Sequence, residues 1–205
     1  MLRGKLTSGG DGSNPIGTYA SAMAPQAAGE RREMTADDVG WLLSLIEALG
    51  VRIWIDGGWA VDACLGVQTR RHGDVDIVIE QRDLLALVAA LRSHGYGAVA
   101  RDDTRPWNFV LGDEHGHEID FHVIVLGRDG AGVYGPPDHG VLFPAESLTG
   151  SGIIAGREVA CISPQWQVAF RTGYAVDETD WADVKALSER FGIQMPDDYA
   201  RFGSE

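Results

Sequence analysis

The chain has 205 residues, with 17 Lys and Arg against 30 Asp and Glu and a formal net charge of −13; this length suits one domain with a proper core, alone or with a small appendage. The acidic charge argues against a protein that binds nucleic acid or an anionic membrane surface, because both ligands favour basic proteins. No apolar run approaches the roughly 20 residues of a membrane span, the first residues lack a signal-type apolar segment, and Cys64 and Cys161 do not make a disulfide framework, so we expect a soluble cytoplasmic protein.

The pattern along the chain predicts an α+β fold. Residues 1–34 are rich in Gly, Ser, Ala and Pro and lack an apolar period, which predicts a flexible arm. Beyond Thr35, apolar residues recur at helical or alternating spacing. In chain order we predict a helix (35–49), a strand (51–56), a helix (59–65), a strand (74–80), a helix (82–94), strands (96–100, 108–111, 118–126), an irregular Gly- and Pro-rich connection (127–152), a short strand (156–161) and two helices (163–172, 179–191).

This order indicates a small mixed β-sheet flanked by helices, with a helical C-terminal part. We expect a core over residues 35–150 and a C-terminal helical subdomain over residues 151–205.

Two aspartates stand two residues apart where the strand over residues 74–80 begins. Side chains alternate along a strand, so Asp74 and Asp76 project from the same face. Neighbouring carboxylates repel each other unless a cation lies between them, and Mg²⁺ takes such oxygen ligands together with substrate phosphates. Taken alone, this pattern fits a solvated pair at a strand end at least as well as it fits a metal site.

A third aspartate lies on the strand over residues 118–126. Asp120 and His122 share one face of it, opposite the apolar side chains. If this strand is next to the one that carries Asp74 and Asp76, Asp120 comes within roughly 5 Å of them, the spacing of adjacent strands. Three such carboxylates can hold two Mg²⁺ ions that align a nucleoside triphosphate, and Asp120 can accept a proton from an attacking hydroxyl. His122 assists proton transfer, contacts the acceptor, or is simply a packed histidine.

Gly57 and Gly58 separate a strand from a helix. Two glycines let the backbone approach a bulky anion, and the N-terminus of the following helix offers free N–H groups to phosphates. Arg70 and Arg71, in the loop before the paired aspartates, supply counter-charge to the phosphates. A simple tight turn and two solvated arginines are the alternatives.

Together these segments resemble the small antibiotic nucleotidyltransferases of the polymerase-β-like superfamily. The resemblance is carried by Gly57-Gly58-Trp59, by the run TRRHGDVD over residues 69–76, and by Glu118-Ile119-Asp120. It covers residues 35–191 and includes two branches, the lincosamide and the aminoglycoside 2″-nucleotidyltransferases. The stretch over residues 170–180 is more similar to the lincosamide branch.

The resemblance implies the nucleotidyltransferase fold and a reaction that depends on Mg²⁺. A nucleoside monophosphate, usually AMP from ATP, is transferred to a hydroxyl of a small antibiotic. It implies that Asp74, Asp76 and Asp120 hold the metal and that Asp120 is also the base. It further implies that Gly57, Gly58 and Trp59 line the phosphate site, with Lys185 near the nucleotide.

An acidic cleft would attract a cationic antibiotic. The C-terminal subdomain would complete the acceptor site, for which the candidates are His122, Tyr174, Asp177 and Glu178. We expect no nucleic-acid or membrane partner. The sequence is compatible with a homodimer as well as with a monomer. The alternative functions are transfer to a protein or a metabolite, as in toxin–antitoxin nucleotidyltransferases, a non-catalytic nucleotide-binding module, and a metal-dependent phosphodiesterase with a similar carboxylate set.

Overall fold

A computed structural model describes residues 31–136 and 140–203 of the chain. Most of the predicted arm, residues 1–30, lies outside these ranges. Its last residues pack against the fold: Met34 is buried, and its backbone N–H donates to the carbonyl of His72 at 2.8 Å.

Helices and strands alternate along the first half of the chain, and strands dominate the stretch before the last two long helices. The helices are α1 (Ala36–Leu49), α2 (Gly57–Leu65), α3 (Gln81–Ser93), α4 (Pro164–Phe170) and α5 (Glu178–Phe191), with 3₁₀ helices at Ala145–Thr149 and Asp197–Phe202. The strands are β1 (Ile53–Asp56), β2 (Asp74–Glu80), β3 (Gly97–Val99), β4 (Asn108–Gly112), β5 (Glu118–Leu126), β6 (Gly132–Tyr134), β7 (Val141–Phe143), β8 (Gly150–Ile154) and β9 (Arg157–Cys161). The predicted mixed α+β class is confirmed. The bounds of β2 and β5 match the prediction.

The strands of the described residues form one mixed sheet in the order β3-β4-β5-β2-β1-β9-β8, and β6 and β7 extend it from β5. β2 and β5 run parallel, as do β1 and β9, whereas β1 and β2 are antiparallel. β8 begins at Gly150 and joins this sheet through β9 and β1. The sheet therefore continues past residue 150, where the C-terminal subdomain was expected to begin.

The alternation along the central strands divides the sheet into two different faces. Odd-numbered side chains such as Ile55, Ile77 and Phe121 are buried under α1, α2 and α3 in the main apolar core. Even-numbered side chains face the other way. There Trp54 and Val78 join a second apolar cluster. Polar residues of β1, β2 and β5 occupy the rest of this second face. The helices α1, α2 and α3 cover only the first face.

The C-terminal helices pack on α2. Val61 of α2 contacts a third apolar cluster that contains Val184 and Leu187 of α5 and the buried Tyr199. The Asp177 side chain begins α5 by accepting hydrogen bonds from the backbone N–H groups of Thr179 and Asp180. Such a cap satisfies amides that have no partner inside the helix. The third apolar cluster therefore holds α2, which begins at the Gly57-Gly58 turn, against α5, the last long helix of the chain.

The expectation of an irregular connection over residues 127–152 is wrong in part, because this stretch contains β6, β7, a 3₁₀ helix and the start of β8. β6 and β7 have three residues each, too few to show an alternation. Gly132 also takes a position where a Cβ would lie 2.6 Å from Ile124. Among the described residues, no helix is long and apolar enough to cross a membrane.

The contact between β8 and α2 gives a test of the packing. A Cβ at Gly152 would lie 2.3 Å from the backbone of Ala63, so Gly152→Ala must push the strand from the helix. We expect a loss of about 1–3 kcal/mol in the free energy of unfolding, measured by urea denaturation. Gly40→Ala is the control, because a Cβ there meets nothing within 4 Å and a helix interior gains about 0.5–1 kcal/mol from Ala. Equal effects of the two substitutions would contradict this packing.

Candidate active site

Three aspartates lie side by side across three adjacent strands. In the sheet register, Asp56 of β1 pairs with Asp76 of β2, and Asp76 pairs with Asp120 of β5. All three side chains project from the face opposite the main core. The strand neighbourhood that the sequence analysis required is therefore present, and Asp76 and Asp120 are brought together.

Among the described residues, Asp76, Asp120 and His122 form a group of three possible metal ligands. One ligand atom from each residue lies within 4.8 Å of the others. Asp74 shares their face but is outside this group. Its carboxylate forms an ion pair with Arg31, whose Nε also lies 3.0 Å from Glu118 Oε2. The structure thus brings together two of the three predicted metal ligands and places the third beside them, against an arginine.

His122 lies between the aspartates. Its Nδ1 is 3.4 Å from Asp56 Oδ2, a distance that fits an ion pair better than a well-formed hydrogen bond. The imidazole ring contacts the edge of the Tyr134 ring with a centroid distance of 5.6 Å, and Tyr134 donates its hydroxyl proton to Asn108 at 2.7 Å. His122 is therefore held over the aspartates by an anion on one side and an aromatic ring on the other.

The crowding of charges shifts the acid–base properties of the group. Burial, with the Asp74 charge, raises the pKa of Asp76 to about 7, and burial also raises the pKa of Asp120. Burial alone would lower the pKa of His122, but the Asp56 contact and the other carboxylates raise it to about 9. Burial would raise the pKa of Asp56, but His122 and the Gly57 amide lower it. At neutral pH this site carries a charged imidazole among carboxylates of unequal strength.

Asp56 is a site residue that the sequence analysis missed. Besides facing Asp76, its side chain accepts a hydrogen bond from the Gly57 backbone N–H at 2.8 Å and caps α2. The sequence pattern could have identified it, because the alternation over residues 51–56 puts Asp56 on the polar face and at the strand end. A single aspartate before a glycine pair reads equally well as an ordinary helix cap.

The glycine pair forms a turn that touches the carboxylates. Gly57 has a φ of 59°, a left-handed conformation, and a Cβ there would lie 2.0 Å from Asp76 Oδ2. A Cβ at Gly58 would lie 2.3 Å from Arg70 Nη2 and 2.6 Å from His72 Nδ1. The turn forms the N-terminal end of α2. Its backbone lies beside the Asp76 carboxylate on one side and the Arg70 guanidinium on the other.

The other three residues predicted near the nucleotide on this part of the chain differ from one another in burial and in their contacts. Trp59 is buried in the main core and packs on the His72 ring with a centroid distance of 4.7 Å. Arg70 lies at the turn and reaches Asp183, with 3.3 Å between Nη2 and Oδ2. Arg71 is 88% exposed and pairs with Glu33 at 3.1 Å. Only Arg70 of these side chains has its charge at the glycine turn.

The residues predicted on the C-terminal part cluster at the start of α5, apart from one. The half-exposed Tyr174 donates its hydroxyl proton to Asp180 at 3.0 Å, while Asp177 caps the helix and Glu178 is exposed. Lys185 pairs with Glu189 at 3.2 Å along the helix surface. It lies two residues, or about 200°, around the helix from the buried Asp183, so the structure does not bring it to the glycine turn.

The donor set fits a divalent cation. Asp120 Oδ1 is buried and has no hydrogen-bond partner within the described ranges. An orphaned buried carboxylate oxygen is costly unless a cation or a proton satisfies it. Burial, the largest cause of the raised pKa of both Asp76 and Asp120, likewise disfavours their charged forms while no cation is bound. Oxygen ligands of this kind suit Mg²⁺.

Comparisons with known proteins agree with this chemistry. The model of the aminoglycoside-2″-adenylyltransferase family matches residues 39–187. A lincosamide resistance protein of Staphylococcus haemolyticus is 30% identical over 158 residues, which cover 77% of this chain and 97% of that protein. A 2″-aminoglycoside nucleotidyltransferase of Klebsiella pneumoniae is 29% identical over 144 residues, covering 68% of this chain and 75% of that protein.

Solved structures show the same similarity in three dimensions. The lincomycin-bound crystal structure of the lincosamide antibiotic adenylyltransferase LnuA has a TM-score of 0.68 and 30% identity, and covers 77% of this chain and 98% of that chain. The complex of ANT(2″)-Ia with adenylyl-2″-tobramycin has a TM-score of 0.60 at 21% identity, covering 77% and 89% of the two chains. The expected nucleotidyltransferase fold is confirmed.

The shifted pKa values predict how the stability of the metal-free protein depends on pH. The folded state raises the pKa of Asp76 from 3.8 to about 7 and that of His122 from 6.5 to about 9, so it binds protons more tightly than the unfolded chain. Stability from both groups is therefore present at low pH. It is lost between pH 4 and 7 for Asp76 and between pH 6.5 and 9 for His122.

We expect the melting temperature, measured by calorimetry at constant ionic strength, to fall from pH 6 to pH 9 without metal and to fall less with saturating Mg²⁺. Asp76→Asn should flatten the part of this dependence below pH 7. A melting temperature that rises over the same range would contradict these pKa shifts.

Proposed function

The chain belongs to the aminoglycoside-2″-adenylyltransferase family and is a nucleotidyltransferase, and we propose that it transfers AMP from Mg-ATP to a hydroxyl of a lincosamide antibiotic. The observation that carries the proposal is the register of Asp56, Asp76 and Asp120 across three strands beside the glycine turn. This arrangement provides anionic ligands for Mg²⁺ and backbone amides for phosphates within one site.

The choice of a lincosamide rests on how completely the chain matches each kind of relative. It spans 97% of the lincosamide resistance protein but 75% of the 2″-aminoglycoside nucleotidyltransferase. The TM-score is also higher for the lincosamide enzyme, 0.68 against 0.60. An aminoglycoside is the second candidate, and an adenylylated protein or metabolite is the alternative outcome of the test below.

Asp76 and Asp120 would hold Mg²⁺ together with Asp74, whose carboxylate would exchange Arg31 for the metal. Bound there, Mg²⁺ supplies positive charge that neutralises the phosphate oxygens during displacement. Three carboxylates on one face of the sheet would hold two such ions. The exposed position of Arg31, with half of its side chain in solvent, permits this exchange.

The reaction forms a bond between the acceptor oxygen and the α-phosphorus and breaks the bond from that phosphorus to the bridging oxygen. Pyrophosphate leaves with the bonding electrons. Asp120 accepts the proton of the acceptor hydroxyl, a role that its raised pKa suits. The glycine turn and Arg70 bind the phosphates of the nucleotide with backbone N–H groups and a guanidinium.

The acceptor would enter between the aspartates and the start of α5. His122 and Tyr134 form a polar and aromatic wall on the β5 side. Tyr174, Asp177 and Glu178 lie at the start of α5, where Glu178 is exposed and Asp177 caps the helix. Glu178 is thus the carboxylate best placed to attract the amine of a cationic antibiotic.

Release of pyrophosphate from Mg-ATP in the presence of lincomycin, tobramycin or kanamycin tests the proposal. We expect release with lincomycin and a mass increase of that molecule by one adenylyl group. Modification of tobramycin or kanamycin alone would assign the chain to aminoglycosides, and label on protein would indicate a macromolecular acceptor. AMP formed without any modified acceptor would contradict group transfer.

Asp74→Asn should lower the turnover number by about a thousandfold or more, because the charge stabilisation supplied through a metal ligand is worth several kcal/mol. The melting temperature should change little, since Asp74 is partly exposed. Glu114→Gln, which removes a charge from an exposed turn, is the matched control. Full activity of Asp74→Asn would reject Asp74 as a metal ligand.

Asp120→Asn should reduce turnover by about 10²–10⁴-fold, the range of a lost general base, while ATP binding measured by calorimetry is largely retained. The amide keeps the shape of the side chain but cannot accept the proton. An equal loss of ATP affinity would show that Asp120 acts through the metal alone.

A further inference from the structure

Two arginines meet one buried carboxylate next to the glycine turn. Asp183 of α5 is 5% exposed in its side chain. Arg70 reaches it with two nitrogens, Nε to Oδ1 at 3.4 Å and Nη2 to Oδ2 at 3.3 Å. Arg171, at the end of α4, places Nη2 3.6 Å from the same Oδ2. We call Arg70, Arg171 and Asp183 the arginine cluster.

The arginine cluster carries an excess of one positive charge in a chain whose net charge is −13. Two guanidinium groups share one carboxylate, which cannot satisfy all of their N–H donors. Arg171 also donates to the carbonyl and side-chain oxygens of Gln167 at 3.1 Å and is 12% exposed. Arg70 keeps 35% of its side chain in solvent. Arg70 Nη1 donates to the Arg71 carbonyl at 3.3 Å, but Arg70 is still the more exposed of the two arginines, and it is the one that lies at the turn.

Arg70 Nη2 occupies the space over Gly58, since a Cβ at that glycine would lie 2.3 Å from it. The same nitrogen contacts Asp183. A guanidinium held at one edge by a carboxylate has its plane and position fixed, and its remaining N–H donors point in set directions. The carboxylate of the last long helix thus determines where this charge lies relative to the phosphate-binding turn.

We infer that Asp183 is a positioning residue, which holds Arg70 over Gly58 so that its guanidinium receives the phosphates of the incoming nucleotide. The inference rests on the proposed function for the identity of the nucleotide. It adds that α5, whose start carries the candidate acceptor residues, is coupled to nucleotide binding through Asp183. Loss of Asp183 therefore acts on nucleotide affinity through Arg70, with little effect on the chemical step.

A double-mutant cycle with Asp183→Asn and Arg70→Ala tests the inference, with ATP binding measured by calorimetry in the presence of Mg²⁺. Each single substitution is expected to raise the dissociation constant about tenfold. The double variant should also show about a tenfold increase, where independent residues would give about a hundredfold. The turnover number at saturating ATP should stay within about threefold, so the KM for ATP carries the effect.

Glu189→Gln is the control, since it removes an exposed carboxylate from the same helix. Additive losses in the cycle would overturn the inference, as would a lower melting temperature with unchanged ATP affinity. Tighter ATP binding by Asp183→Asn would also overturn it, because Asp183 would then compete with phosphate for Arg70.

Arg70→Lys keeps the charge but loses the planar fork, and serves if Asp183→Asn does not fold. We expect it to weaken ATP binding about fivefold, and unchanged affinity would reject the inference. Calorimetry needs no acceptor, so the two proposals can fail separately. The expected change in ATP affinity without transfer to any antibiotic would reject the proposed function and retain this inference.

Discussion

Electrostatic repulsion among in-register carboxylates is the constraint around which this site is built. Backbone hydrogen bonds between β1, β2 and β5 fix Asp56, Asp76 and Asp120 side by side, and the side chains cannot move apart without breaking the register. Burial of the apolar face of the sheet under α1, α2 and α3 stabilises this arrangement of the strands. The fold thus maintains a concentration of negative charge that would otherwise disperse.

Each cation near the site has a defined relation to this charge. His122 lies against Asp56 inside the group. Arg31 and Arg101 bind Glu118, which pairs with Asp74 in the sheet register. Arg70 and Arg171 stand on the other side of the glycine turn, around Asp183. The four arginines therefore flank the aspartates, and Asp120 Oδ1 beside His122 still has no hydrogen-bond partner among the described residues, which suits a site that receives its own cation with the nucleotide.

The sequence predicts those parts of the fold and site that depend on local pattern. β2 and β5 alternate over seven and nine residues, and their bounds follow directly from that alternation. The three-residue strands β6 and β7 have no such pattern, and their pairing is decided by contacts with β5. In the candidate site, Asp74, Asp76 and Asp120 were predicted because strand alternation places each of them on a polar face. Asp56 and Asp183 were missed because their partners, Asp76 and Arg70, lie 20 and 113 residues away in the chain.

The left-handed turn at Gly57 has a consequence for how such an enzyme can diversify. Its backbone touches the Asp76 carboxylate, and no side chain fits between them. This side of the site therefore tolerates little change of sequence. Under the proposed function, acceptor specificity would change through the opposite wall, at Tyr134, Tyr174 and Glu178, while the nucleotide used stays the same.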